Sequence, residues 1–454
     1  MEHQNYLTNV RDQYEDLPYP PANPEDEKKQ LQFTTLGGLD VINAFCFEGK
    51  ENFDKGFRVL VAGGGTGDSA IYLAEQLREK PNAEVVYLDL SSASMAIAKQ
   101  RAAVRQLTNI TWVHDSLLEL PRLNLGTFDY INCTGVLHHL ENPEEGLKAL
   151  ASVLKPTGAM GIMLYARYGR TGVYQMQELM KLVNTSEISR QTWVDNCRTV
   201  LNSLPATNWF KRGEALTTDH VKMGDAGLFD LLLHTQDRPY SVSETYDFVA
   251  SAGLTFLDFH SDLGMAKFHY SPASSIKDPA LLQKVMALPA AKQQAIAELA
   301  SGTITKHSFF IAPNSRGKLN PAALENIPFF ASHFSSLGNT YADFYAMVSK
   351  STAAKFLVEN QGCRLAITRT PHINDLLKFL DGQRSTGEIL DAVIAEKQQN
   401  SALAPDKQQL LAEFVALFRS LNYFEWLILR APNVAPFKTT FELQKRVTAL
   451  YASA

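Results

Sequence analysis

Cysteine is scarce in this chain: four in 454 residues (Cys46, Cys133, Cys197 and Cys363), widely separated and with no C-x-x-C pair. That excludes a disulfide framework and the usual thiolate metal or redox motifs. No His-x-x-x-His pair or carboxylate cluster argues for a bound metal either. Long apolar runs are missing, so no stretch reaches membrane-spanning length. Charge of one sign is missing too: 43 Lys and Arg stand against 48 Asp and Glu, for a net charge of −5. A basic nucleic-acid face is therefore not expected. There is no internal repeat, and the opening Met-Glu-His-Gln-Asn-Tyr lacks the pattern of a signal peptide. These absences predict a soluble cytoplasmic protein with reduced thiols. Its length suits two or three domains with substantial cores.

What is present starts at residues 57–70, Phe-Arg-Val-Leu-Val-Ala-Gly-Gly-Gly-Thr-Gly-Asp-Ser-Ala: a short apolar strand, a glycine cluster, then a helix. Gly63, Gly65 and Gly67 fall on G-x-G-x-G spacing, which lets a nucleotide approach the backbone closely. A second strand over 84–90 carries Asp89 near its C-terminal end, roughly 20 residues past the glycines, where a carboxylate can accept ribose hydroxyls. Further alternations follow: a helix over 94–107, a strand over 109–113, a strand over 128–133 and a strand over 159–165. This order predicts an α/β fold with a parallel doubly wound sheet and ligands beyond the strand C-termini. From the glycine loop alone a nicotinamide dinucleotide is a rival ligand. Counted from Gly63 the third fingerprint glycine is replaced by Asp68, and counted from Gly65 by the tolerated Ala70.

The ordered set Val-Leu-Val-Ala-Gly-Gly-Gly-Thr-Gly, Tyr-Leu-Asp-Leu-Ser, His-Asp-Ser-Leu, Phe-Asp-Tyr-Ile-Asn-Cys-Thr-Gly-Val-Leu-His-His-Leu and Leu-Lys-Pro-Thr-Gly, over about 57–165, resembles the class I S-adenosylmethionine-dependent methyltransferases. The resemblance implies a Rossmann-like seven-stranded sheet, S-adenosylmethionine as cofactor and methyl transfer to an acceptor. It also implies roles by position. Ala62, Gly63, Gly64, Gly65 and Gly67 would pass under the methionine part; Asp89 would hold the ribose; Leu90 would pack on adenine. Asp115, with Ser116, would meet the exocyclic amine, and Thr134 would line the methyl-donor end. The family often has an acid two residues before the first glycine, where this chain has Val61. Binding of the methionine amino group must then fall to other groups. The Thr-Gly-Val-Leu-His-His segment and the Leu-Lys-Pro-x-Gly turn count against the nicotinamide reading.

Around this core the chain divides by pattern. Residues 1–52 hold a helix over 6–16 and the stop Leu-Pro-Tyr-Pro-Pro, bracketed by Tyr14 and Tyr19. Similar starts in several methyltransferases close over the cofactor, which would bring Tyr14 to it; the alternative is an N-terminal helix packed on the sheet. The methyltransferase domain spans 53–313, with helical insertions at 166–239 and 261–306 as substrate walls and a seventh, antiparallel strand at 307–312. A linker at 314–328 leads to a small α+β unit at 329–432, followed by a tail at 433–454. The Leu-Asp-Gly-x-Arg-Ser-x-x-Glu-Ile stretch at 380–389 is similar to winged-helix modules of bacterial protein-lysine methyltransferases. Its apolar set, Leu376, Leu377, Ile389, Val393, Phe414, Leu417 and Leu421 among others, predicts a separate core, so a chain ending near Pro313 is expected to keep cofactor binding. The unit would grip a partner or form a homo-oligomer.

Three groups are candidates for chemistry. His138 and His139 follow the fourth strand beside the transferable methyl; His138 is the candidate base, with a structural role as cap or cleft wall the alternative. Tyr165, Arg167, Tyr168 and Arg170 end the fifth strand. Tyr165 would wall an amine acceptor, the arginines would suit a carboxylate or phosphate, and a solvated loop is the plain alternative. Within 229–240, His234, Asp237 and Arg238 either form one polar cluster or include an Asp–Arg pair that anchors the insertion. The acceptor is expected to be a protein side chain such as lysine, or a small metabolite. The fourth strand is not followed by Asn/Asp-Pro-Pro-Tyr, which counts against a nucleic acid. A non-catalytic cofactor-binding protein is the other functional class these residues allow.

Overall fold

The computed structural model describes residues 8–452 apart from 186–187, 262–264, 337–340, 361–362 and 401–404. Seven apolar segments form one sheet: β1 (Arg58–Ala62), β2 (Glu84–Asp89), β3 (Ile110–His114), β4 (Phe128–Thr134), β5 (Leu154–Tyr165), β6 (Thr255–His260) and β7 (Lys306–Ala312). Their order is β3-β2-β1-β4-β5-β7-β6. β7 runs antiparallel between β5 and β6, and the pairs from β3 to β5 are parallel. The expected seven-stranded Rossmann-like sheet is present. In the central strand β1 the run Val59–Ala62 is apolar and buried throughout, as a strand covered by helices on both faces requires. The strand order reverses between β1 and β4, and the glycine loop leaves β1 at that switch point.

β5 starts at Leu154, five residues before the sequence-based expectation. Leu154 pairs with Phe128, then the register shifts before Ala159 meets Tyr130, so the Lys-Pro-Thr-Gly segment bulges within the strand. The N-terminal helix is Thr8–Asp16; Tyr6 and Leu7 lie outside the described residues. Both sequence-predicted capping boxes form, Ser241 with Glu244 and Ser385 with Glu388.

The C-terminal region departs from a winged helix. Its hairpin, β9 (Lys355–Asn360) with β10 (Cys363–Thr368), precedes the helices Ile373–Phe379, Thr386–Gln399 and Lys407–Asn422. The strand after the third helix, β11 (Leu427–Arg430), pairs backwards with β8 (Ile327–Phe330). β8 begins inside the expected linker because Ile327 and Phe329 offer an apolar face that β11 buries. The rest of that linker is also held: Arg316 donates to the carbonyls of Cys46, Thr157 and Gly158, and the Gly317 amide to Glu48.

The described part of the expected tail, residues 433–452, does not trail free. Thr440–Tyr451 is a helix with its own capping box at Thr439 and Glu442, and it lies against the first domain. Leu443 packs with Leu31, Ile71 and Tyr72, Gln444 Oε1 accepts from Arg105 at 2.6 Å, and Tyr451 donates to the Val104 carbonyl. The two parts meet again where buried Glu425 pairs with His260 of β6 at 2.5 Å and Ser332 bonds Asp40. A chain truncated at Pro313 is therefore expected to lose stability. Truncation strips the last helix from the patch of Leu31, Ile71 and Tyr72 and Ser332 from Asp40, and Glu425→Ala in the full chain, which deletes one partner of a buried pair, is by itself worth about 3–5 kcal/mol. Urea unfolding of the truncated and full chains measures this, and equal midpoints would show two independent cores.

Candidate active site

A cleft of about 1620 Å³ opens beyond the C-terminal ends of β1, β2, β4 and β5. Its floor is the glycine loop. Gly63 and Gly65 both have positive φ (76° and 51°), and a Cβ on Gly63 would lie 2.3 Å from Val136. Only glycine serves there, because the loops after β1 and β4 are in contact. Asp89 stands beside the loop, its two oxygens accepting from the amides of Gly65 and Ser91, each at 2.7 Å. Burial raises its carboxyl above the ordinary range despite those two amides. Leu90, Asp115, Ser116 and Thr134 line the same cleft, as do Gly64 and Tyr14. Ala62 and Gly67 do not. Ala62 is fully buried in the sheet core, and Gly67, at φ 107°, packs against Ala98 as the helix 68–77 begins.

The N-terminal segment crosses this floor. Thr66 donates to the Pro20 carbonyl at 2.7 Å, and a Cβ on Gly65 would lie 2.8 Å from the Tyr19 carbonyl oxygen. Glu15 accepts from the Ser92 and Ala93 amides at the start of the helix Ser92–Val104, a carboxylate on a helix N-terminus. Ser91 donates to the Tyr14 carbonyl. These bonds bring Tyr14 to the inner wall.

That wall is built by three distant segments. Asp230, from the helix Gly224–Leu232, accepts from Tyr14 at 3.0 Å on one oxygen and from Tyr165 at 3.1 Å on the other. Accepting twice is the hydrogen-bonding pattern of a carboxylate. Burial pushes both tyrosines well above their ordinary range, so they keep their protons and donate. Burial likewise raises Asp230 above its ordinary range, against the opposing influence of His139, Arg170 and the two tyrosines. His139 stacks on His234 with ring centres 3.8 Å apart. Arg170 lies over the Tyr165 ring at 3.6 Å, a cation–π contact inside the protein.

The candidate chemical residues separate by depth. Tyr165 lines the cleft, together with His139 and Asp230. His138 is fully buried behind them, ringed by His139 and Tyr165, and does not reach the cleft wall. His234 is one layer back as well, its Nε2 3.3 Å from the Tyr14 hydroxyl. Burial depresses both imidazoles far below the ordinary histidine range. His234, Asp237 and Arg238 do not form one cluster: Asp237 accepts from Gln177 and faces Arg170, while Arg238 pairs with Glu144. Arg167 is taken by Glu244, and Tyr168 is exposed on the surface. Asp230 was not among the sequence candidates. The one signal for it is an acid inside the apolar run Phe-Asp-Leu-Leu-Leu, a residue type seldom buried without partners.

Donor atoms of His139, Asp230 and His234 lie within 4.8 Å of one another. The Gln236 amide donates to His234 Nδ1 at 3.1 Å, which leaves the proton on Nε2 and no lone pair there for a metal. The two rings stack, and Tyr14 bridges His234 to Asp230, so the trio is one side of the wall.

A methyltransferase domain model matches residues 60–160, which run from β1 through the glycine loop to β5. The chain belongs to the class I S-adenosylmethionine-dependent methyltransferases. The methyltransferase is an enzyme with S-adenosylmethionine as its cofactor, and the glycine cradle, Asp89 and the size of the cleft fit that molecule. It is similar to an uncharacterized protein, syc1184_c of Synechococcus sp., with 31% identity over 66% of this chain and 70% of that protein. It is also similar to the tRNA 5-carboxymethoxyuridine methyltransferase of Escherichia coli, 33% identical over 25% of this chain and 41% of that enzyme, less than half of its length. Among solved structures, PKMT2 from Rickettsia typhi in complex with AdoHcy superposes with a TM-score of 0.60, at 16% identity, over 87% of this chain and 75% of that one. That likeness extends past the sheet into the C-terminal region. No described helix is long and apolar enough to cross a membrane.

Proposed function

We propose that this methyltransferase acts on an amine, and that the amine is a lysine side chain of a protein. The observation that carries the reading is the Asp230 carboxylate, fixed by Tyr14 and Tyr165 at the inner wall of the cleft. An ammonium group gains there from a charge-assisted hydrogen bond and from aromatic faces. An anionic acceptor would meet Asp230 instead, with Arg167 already bound to Glu244. S-adenosylmethionine supplies a methyl group on a sulfonium sulfur, and catalysis then rests chiefly on positioning the nucleophile in line.

In this reading Gly63, Gly64 and Gly65 pass beneath the methionine part, Asp89 holds the ribose, and Leu90, Asp115 and Ser116 surround the base. Thr134 and Tyr14 stand toward the donor end, and the segment 14–20 is a lid. Asp89→Ala is expected to weaken S-adenosylmethionine binding by about 1.5–3 kcal/mol, the range for hydrogen bonds to a charged group. Asp89→Asn keeps an acceptor for one of the two loop amides, so its loss relative to Asp89→Ala gauges how much of the effect comes through the loop. Calorimetric titration reads both, and an unchanged affinity would remove Asp89 from the nucleoside site.

A protein acceptor accords with the C-terminal region, whose extent the PKMT2 fold shares and which a small-molecule enzyme would not need. We assign that region to gripping the acceptor protein, with self-association as the competing outcome. A nucleic-acid acceptor is disfavoured by the net charge of −5 and by the helix Lys407–Asn422, whose cations are Lys407, paired with Asp391, and Arg419. A cytoplasmic location completes the reading, supported by the buried free thiols Cys46, Cys133 and Cys197. The test is incubation of cell extract with trideuteromethyl-labelled cofactor. Label in the protein fraction as methyl-lysine supports the proposal, whereas label confined to the small-molecule filtrate contradicts it.

A further inference from the structure

One residue, Gln236, holds two stacked imidazoles in opposite protonation patterns. Its carbonyl lies 2.8 Å from His139 Nδ1, and only an N–H can bond a carbonyl, so His139 carries its proton on Nδ1. Its amide donates to His234 Nδ1 at 3.1 Å, so His234 carries its proton on Nε2. That N–H faces the Tyr14 hydroxyl, which in turn donates to Asp230. The series Gln236–His234–Tyr14–Asp230 runs in one direction and leaves His234 no lone pair. His139 is left with a bare lone pair on Nε2, and among the described residues it is the imidazole that lines the cleft.

From this geometry we infer that His139 takes the proton from the acceptor amine, a step that rests on the amine reading above. A lysine ammonium is almost wholly protonated near neutrality, with an ordinary pKa of about 10.4, and has no lone pair to attack with. The ammonium gives one proton to His139 Nε2. The freed nitrogen lone pair forms the new N–CH₃ bond while the methyl carbon's bond to sulfur breaks and its pair stays on sulfur. The product is a methylammonium, and the imidazolium returns its proton to cleft water.

The groups facing His139 suit this exchange. His234 and His138 are its stacked and adjacent rings, and burial keeps both neutral, so a charged His139 meets no imidazolium. Asp230 and Asp237 each have an oxygen within 4.8 Å of a His139 nitrogen and favour the imidazolium. Tyr165 stays protonated, and the Arg170 charge stacked on it opposes the imidazolium.

The test has two arms on the full chain. Long-range ¹H–¹⁵N spectra of the cofactor-free protein are expected to show the Nδ1–H form for His139 and the Nε2–H form for His234. His139→Asn keeps an N–H for the Gln236 carbonyl and removes the base. It is expected to bind S-adenosylhomocysteine within twofold of wild type and to lose about 100-fold in kcat near pH 7, the low end for general-base catalysis. Its rate should then climb tenfold per pH unit into the alkaline range, where wild type levels off. The same tautomer in both rings, or a variant pH profile parallel to wild type, would overturn the inference. Transfer by wild type to oxygen or carbon alone would instead overturn the amine reading and this step with it.

Discussion

Replacing Asp230 with asparagine is expected to lower kcat/KM for the amine acceptor by about 10- to 100-fold, the equivalent of one charge-assisted hydrogen bond of 1.5–3 kcal/mol. The substitution is nearly isosteric. Its amide oxygen still accepts from one tyrosine, and its NH₂ meets the other hydroxyl as an acceptor, so Tyr14 and Tyr165 keep their positions. Stability should stay level or rise, because burial already works against the charge at this site. Cofactor affinity should be unchanged. Steady-state kinetics beside a thermal melt read all three, and full activity in the variant would remove Asp230 from acceptor binding.

A large effect on folding is expected from the single substitution Glu27→Ala. Glu27 is buried between two arginines: Arg101 meets Oε1 at 2.7 Å, and Arg105, fully buried, meets Oε2. Arg101 continues to Asp68 at 2.7 Å and to the Thr66 carbonyl of the glycine loop. Arg105 continues to Glu75 and to Gln444 of the last helix. Removing the shared carboxylate leaves two desolvated guanidinium groups with weaker partners, a loss of about 3–5 kcal/mol. Because Arg101 also braces Thr66 and Asp68, cofactor affinity should fall with stability. Urea unfolding and calorimetry measure the pair. A loss below about 1 kcal/mol would mean that Asp68, Glu75 and Gln444 suffice, in the range of an exposed ion pair.

How much of this was legible in the sequence follows from distance along the chain. The sheet was readable because each strand is an apolar run closed by turn residues, and β1, its glycine loop and the first turn of the next helix are contiguous. Gly63, Gly64, Gly65, Asp89, Leu90, Asp115, Ser116 and Thr134 all lie at or just past strand ends, so topology alone brings them to one cleft. The inner wall was not readable as a unit. Asp230 meets Tyr14 across 216 residues and Tyr165 across 65, and no local spacing encodes either contact. Between His138 and His139 the order of residues cannot say which ring reaches the cleft. That depends on the short turn 137–139, where His139 Nδ1 finds the Gln236 carbonyl. The last helix carried a visible sign in Thr439-x-x-Glu442, the same capping box read at Ser241 and Ser385. Its docking depends on Arg105, more than 300 residues earlier in the chain. β11 pairs with β8 rather than with a wing because its partner lies at the far end of the domain in sequence.

On the amine proposal, the inner wall of the cleft receives an amine beside the cofactor. Sinefungin, which places an amine where S-adenosylmethionine carries its methyl, tests this without any acceptor. Calorimetric titration of wild type and Asp230→Asn with sinefungin and with S-adenosylhomocysteine compares the same nucleoside with and without that amine. Sinefungin is expected to bind wild type about 10- to 100-fold more tightly than S-adenosylhomocysteine, the span of one charge-assisted hydrogen bond, and the preference is expected to disappear in the variant. Equal affinities in wild type, or a preference that survives the loss of the Asp230 charge, would contradict the amine proposal.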